Sequence, residues 1–343
     1  MKGTNRWRTA LSRLVPSAHD GGSEDHALAA LGLATTWLNS RPLTAAELSG
    51  RVVLVDFWTY TCINWLRTLP YRRAWLGKYG GYGLVLIGVH TPEFGFEHDL
   101  GNVRRAVEAI GVEHPVAVDN DYDVWTSFDN RYWPALYFID TNGQIRHHHF
   151  GEGEYEQSER MIQRLLAESG ASGFSTDLVQ VDPAGVEAAA DWNDLWSPEN
   201  YLGFERTENF ASPNGAVLGT GHTYVVPPKL PLNYWALAGD WTVTRQAVVL
   251  NKADGVISYR FHARDVNLVM APATPVSRIP FQLRIDGLPP AAAQGTDVDA
   301  EGNGVLDQSR LYQLVRQAGP ITDHTFEIAF QEAGAQAFAF TFG

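Results

Sequence analysis

RVVLVDFWTYTCINW, residues 51–65, decides the fold. Its first eight residues are an unbroken β-branched and aromatic run, which reads as a central strand covered on both faces. The only cysteine of the chain, Cys62, follows, and a helical pattern starts just beyond it, with Leu66, Leu69, Trp75 and Leu76 on one stripe as far as Tyr79. Pro70 lies inside that pattern, so a kinked helix over 63–79 is predicted. A thiol attacks only as thiolate, and a helix start favours the anion through free N–H groups and aligned peptide dipoles. Spacing alone also allows a small buried hydrophobe at Cys62.

Working outward, 84–90 (LVLIGVH) reads as a second central strand, 97–110 as an amphipathic helix, 115–118 as a short strand and 123–128 as a short helix. Trp133 and Pro134 introduce a strand at 135–139, the Thr141-Asn142-Gly143 turn, a returning strand at 144–150 and an amphipathic helix at 155–168. The order βαβαβαββα predicts an α/β sandwich. Residues 171–197, rich in Ala, Gly, Ser and Asp, read as a linker with one short strand at 178–181. Beyond it helical patterns nearly vanish. Strands at 241–250, 255–262, 267–270, 281–285, 310–315, 325–330 and 337–342, with Gly, Pro and Asp between them, predict an all-β jelly-roll sandwich. The expected organisation is a flexible tail over 1–34, an α/β domain over 35–170, the linker, and a β-sandwich over 198–343.

Composition agrees with two folding units: 343 residues, 45% hydrophobic. A net charge of -13 repels phosphate backbones and anionic membranes, and no Lys/Arg block offsets it, so nucleic acid is not an expected partner. The start, MKGTNRWRTALSRLVPSAHDGG, lacks the apolar core of a secretory signal, and no stretch is long and apolar enough to cross a bilayer. With one cysteine there is no intrachain disulfide, which fits a cytoplasmic location.

The motifs VVLVDFWTYTCINW, VLIGVHTPEF and RYWPALYFIDTNG, with Pro70 eight residues past Cys62, resemble the thioredoxin-like superfamily. The similarity is to TlpA/ResA-like redoxins, and most of all to the soluble C-terminal region of DipZ-type cytochrome c biogenesis proteins. There a thioredoxin-like module precedes a β-sandwich resembling a carbohydrate-binding module; YLGFERTENF, LNYWALAGDWTV and RLYQLVRQAGPI continue the likeness. The resemblance implies an attacking cysteine at Cys62, a buried proton-transfer carboxylate at Asp56, a tryptophan under the active-site turn at Trp58, and a cis-proline at Pro134. It also implies that the Trp133 backbone faces the thiol and is open to an extended substrate. It implies no cofactor. Read as ordinary core, Asp56 is a satisfied carboxylate and Trp58 plain packing.

The chain departs from this pattern at Trp65, where CxxC requires its second cysteine. A mixed disulfide on Cys62 then has no internal thiol to resolve it. Three functions follow. One is a thiol oxidoreductase resolved by an external low-molecular-weight thiol or a redox partner protein. Another is a retired scaffold binding a client protein or a glycan. The last is a one-cysteine peroxidase, suggested by the TxxC spacing of Thr59 and Cys62, with Thr61 as a second hydroxyl. Trp65, His90 and Glu93 join Trp58, Thr59, Thr61 and Trp133 as expected substrate-lining residues.

Other candidates are less specific. Alternation puts His147 and His149 on one strand face, but no nearby cysteine or acidic pair completes a metal set. Asp297, Asp299 and Glu301 form D-x-D-x-E-G, a partial calcium loop whose twelfth position is Gln308. Tyr234, Trp235 and Trp241 could stack on sugar faces or fill the core.

Overall fold

The computed structural model describes residues 26–343. Of the tail expected over 1–34, residues 1–25 lie outside that range. Residues 26–33 are not a tail: α1 (His26–Ala30) and a 3₁₀ turn bury Leu28 and Leu31 in the core.

A six-stranded sheet forms the first unit. Its strands are β1 (Thr36–Leu38), β2 (Val52–Trp58), β3 (Leu84–His90), β4 (Val116–Val118), β5 (Ala135–Ile139) and β6 (Ile145–Phe150), in the order β1-β4-β3-β2-β5-β6. Every residue of β2 is buried, as expected of a mostly apolar central strand, and the one exception in its run, Asp56, is buried with hydrogen-bond partners. It runs parallel to β3, Trp58 beside His90, and antiparallel to β5, Phe57 opposite Ala135. The helices are α2 (Ala45–Leu48), α3 (Ile63–Leu66), α4 (Leu69–Tyr79), α5 (Leu100–Ile110), α6 (Asp123–Ser127) and α7 (Tyr155–Glu168). A side-chain cap from Asp99 starts α5, and Gly111 at φ 72 ends it.

The helix expected over 63–79 is two helices. The break falls at Arg67 and Thr68, and Pro70 sits in the first turn of α4, where its missing N–H would have had no partner anyway. No strand forms at 178–181.

The second unit holds β7 (Asn200–Tyr201), β8 (Gly221–Tyr224), β9 (Trp235–Val243), β10 (Val248–Leu250), β11 (Gly255–Phe261), β12 (Asp265–Pro272), β13 (Ile279–Ile285), β14 (Asn303–Leu306), β15 (Arg310–Arg316), β16 (His324–Phe330) and β17 (Ala335–Phe342). The all-β character expected of this unit is present, as a curled sheet. All eleven strands join one sheet that curls around its own core. The turn is made within β9. Its first half, Trp235 to Ala238, pairs with β11, and from Gly239 onward it pairs with β8 and β10. Gly239 has φ 96, and a side chain there would meet the backbone of Gly255, so only glycine fits the bend. The single strand read over 241–250 is the end of β9 plus β10, joined by a tight turn in which the Thr244 N–H donates to Ala247 O.

The two units share apolar contact. Phe94 and Phe96, on the loop after β3, lie 5.2 and 4.8 Å from the Phe338 ring of β17. Cys62, Ile63 and Leu66 belong to the same cluster as Val269, Leu311 and Phe338. The redox-type turn thus faces the curled sheet.

Candidate active site

Cys62 occupies the N-cap position of α3, held by its own N–H donating to Thr59 O at 3.2 Å. It is half-buried and unpaired. Its side chain makes no capping hydrogen bond, and α3 is one turn long, so the helix start does little for the anion. Burial pushes the Cys62 thiol well above its ordinary value. The amides of Trp65 and Asn64 pull the other way, while the carboxylates of Glu93 and Glu199 add to the rise. At rest this is a neutral thiol.

Trp65 is 0% exposed. Its ring stacks on Trp58 at 4.0 Å and 18°, and its indole N–H donates to Asp56 Oδ2 at 3.0 Å. Arg72, itself buried on α4, places two guanidinium nitrogens 3.4 Å from the two Asp56 oxygens. The carboxylate expected to move protons is therefore committed to an indole and a buried cation, a pair that costs desolvation and holds only through its hydrogen bonds. Among the described residues Trp58 Nε1 and His114 Nε2 find no hydrogen-bond partner, and both flank the space above Gly88.

Several residues expected to line a substrate site have no surface to offer one. Trp58, Trp65, Thr59, Thr61 and His90 are all buried. His90 stacks on Tyr60 and meets the edge of Trp58, and burial lowers its imidazole to about 3, so it stays neutral. Thr61 donates its hydroxyl to Glu97 Oε1 at 2.6 Å. Glu93 is half-buried at the mouth, accepting from Tyr201 Oη and Arg206, each at 2.6 Å. The Trp133–Pro134 bond is cis. Pro134 precedes β5 beside the end of β2, and Trp133 Nε1 donates to Thr91 O at 3.1 Å.

Sequence reasoning missed Arg72, Glu97, Glu199, Tyr201 and Arg206. The EFGFE run of 93–97, just after a strand end, was the one local signal, and the last three come from the other unit. Glu97 is a fully buried carboxyl raised by burial to about 7.

The weaker candidates resolve differently. Asp297 is taken by the Gln313 amide and Arg310, and Asp299 by Asn303. Glu301 shares no cluster with them: among the described residues no group of three or more His, Cys, Asp or Glu is placed to hold a metal ion. Trp235 and Trp241 are core residues, donating to Glu208 O and Ala238 O, so only Tyr234 of that trio reaches the surface.

Comparison with known proteins follows this geometry. Residues 197–343 match the family described as "Thioredoxin like C-terminal domain". The chain is 34% identical to Protein DipZ of Mycobacterium tuberculosis over 318 residues, which is 90% of this chain and 42% of that protein. It therefore spans less than half of that relative's length. It is 28% identical to the thiol-disulfide oxidoreductase YkuV of Bacillus subtilis, covering 39% of this chain and 89% of that one. Among solved structures it resembles a secreted Mycobacterium tuberculosis disulfide oxidoreductase homologous to E. coli DsbE, with TM-score 0.34, 18% identity, and coverage of 40% and 98%. The cytoplasmic location expected from the sequence is corrected by these similarities, one of which is to a disulfide oxidoreductase described as secreted. The reasoning failed because one free cysteine reports the absence of a disulfide and not the compartment.

Proposed function

We propose that this chain, whose fold is thioredoxin-like and which is similar to Protein DipZ, exchanges disulfides through one thiol and depends on a second molecule to finish. Cys62, having released its proton to water, attacks one sulfur of a substrate disulfide. A Cys62–substrate disulfide forms, and the other substrate sulfur leaves as thiolate with the bonding pair. An external thiolate then attacks the substrate sulfur, forming a new disulfide and returning Cys62 as thiolate. The chain gains and loses no electrons. A low-molecular-weight thiol or a redox partner protein fills the second role, and Trp133 and Pro134 are the residues we assign to substrate contact beside Cys62.

The observation that supports this reading is a half-buried Cys62 at the start of α3, in the turn that follows β2, with no other thiol in the chain. Its raised pKa makes it slow at neutral pH, because the attacking species is the thiolate. The test is reduction of a model disulfide by an external thiol, with native protein and with Cys62→Ser. The proposal expects catalysis that rises with external thiol, is absent without it, and is absent in the variant. Equal rates for the two proteins would refute it.

A second reading, a recognition scaffold, draws on Trp65 and Arg72. They fill the site of the second thiol and occupy the proton-transfer carboxylate. In that case Cys62→Ser leaves client capture unchanged.

A further inference from the structure

Glu97 is a carboxylate with 0% exposure and, among the described residues, no ion-pair partner. Three donors converge on it. The Thr61 hydroxyl donates to Oε1 at 2.6 Å, and the Glu93 and Phe94 amides donate to Oε2 at 2.6 and 2.9 Å. Thr61 directly precedes Cys62 in the turn after β2, whereas Glu93 and Phe94 sit in the loop after β3. One side chain therefore ties together the two loops at the cysteine end of the sheet. The second of these loops is held from the other unit: Tyr201 and Arg206 both bond Glu93, the Arg206 guanidinium lies 3.3 Å over the Tyr201 ring, and Phe94 packs on Phe338.

We propose that Glu97 is a positioning residue for Cys62, linking the turn that carries the thiol to the segment that the curled sheet grips through Tyr201 and Arg206. The curled-sheet unit is then part of the machinery that sets thiol reactivity. The inference rests on the oxidoreductase reading for its purpose, but its geometry does not.

Three donors use both oxygens, and the ionised carboxylate binds them with charge-assisted bonds that the neutral acid does not match. Protonation takes one lone pair away and loosens the tie. The donors favour the anion, burial opposes it more strongly, and the group titrates at about 7, so both states are populated near neutrality. The titratable groups facing it are Glu93, Tyr60 and Tyr122; Arg206 acts on it only through Glu93, and Asp99 and Arg105 face Tyr60.

Glu97→Gln keeps the shape but turns an amide NH₂ toward a donor, so at least one of the three bonds is lost. The experiment measures Cys62 alkylation by iodoacetamide across pH, and amide hydrogen exchange, in the native protein, Glu97→Gln, Thr61→Val, the double variant and Arg206→Ala. Native protein is expected to show an inflection near 7 in addition to that of the thiol, and Glu97→Gln to lack it. The exchange of the Cys62 amide, which bonds Thr59 O rather than Glu97, is expected to quicken at least about threefold in Glu97→Gln and in Arg206→Ala. Effects of Thr61→Val and Glu97→Gln should be non-additive. An unchanged Cys62 amide, a profile superimposable on native, or simple additivity overturns the proposal. If native Cys62 proves inert, the oxidoreductase reading falls, while the exchange data still decide the role of Glu97. Thr61→Val, which removes a single hydroxyl, carries the test if Glu97→Gln fails to fold.

Discussion

Replacing Trp65 by alanine removes a fully buried indole stacked on Trp58 and bonded to Asp56. Truncating a buried tryptophan costs about 3–5 kcal/mol from lost burial and the cavity left behind. Asp56 Oδ2 also loses its shortest donor, a further penalty of about 1–3 kcal/mol for a buried acceptor left short, reduced by whatever Arg72 recovers in closing its 3.4 Å gap. Trp65→Ala should therefore fall at or above the upper end of the truncation range. Trp65→Phe, which keeps an aromatic ring over Trp58 but has no N–H, should lose only about 1–3 kcal/mol. With two units in the chain a single unfolding midpoint is ambiguous, so the assay is native-state hydrogen exchange of β2 and β3 amides. The difference between the two variants isolates the ring volume. A loss under about 1 kcal/mol for Trp65→Ala would refute the view that the tryptophan has become structural in place of a second thiol.

Other consequences are equally direct. Glu93→Gln and Glu199→Gln each remove a like charge facing the sulfur, so each should lower the Cys62 pKa and speed alkylation at mildly alkaline pH; no change would show that these carboxylates do not act on the thiol. His90 is held neutral to about 3 in the fold against an ordinary 6.5, so the unfolded chain binds the extra proton between those values. Native stability relative to His90→Phe should therefore decline as pH falls from 6.5, measured by urea unfolding, and parallel curves would contradict this assignment. Glu97 has the opposite sign. Its raised pKa means the fold binds more protons between 4.5 and about 7, so native stability relative to Glu97→Gln should fall as pH rises through that window, by about 3 kcal/mol at most.

Much of the first unit was legible because its signals are local. The run 52–58 had to be a central strand, and Asn142-Gly143 had to turn a hairpin. The break at Arg67 was not, since helical periodicity passes through it and only the position of Pro70 in a first turn explains the restart. In the second unit seven strands were expected where eleven form, β7, β8 and β14 being missed and β9 and β10 read as one, and its closure was not legible at all. Whether strands close as two stacked sheets or one curled sheet depends on a bend at Gly239, and alternation along each strand is the same in both. At the site, the resemblance singled out Cys62, Asp56 and Pro134 as candidates. It could not show that Trp65 would take Asp56, or that Arg72, sixteen residues away in sequence, would join it. Tyr201 and Arg206 reach Glu93 across more than a hundred positions, a distance at which no period or spacing carries information.

The most direct test of the account is the intact mass of native and Cys62→Ser protein after incubation with a small symmetrical disulfide, before and after addition of free thiol. One mixed-disulfide adduct on the native chain, none on the variant, and complete release by the thiol is the predicted result. A native chain whose mass never changes would contradict the claim that this sulfur is open to exchange.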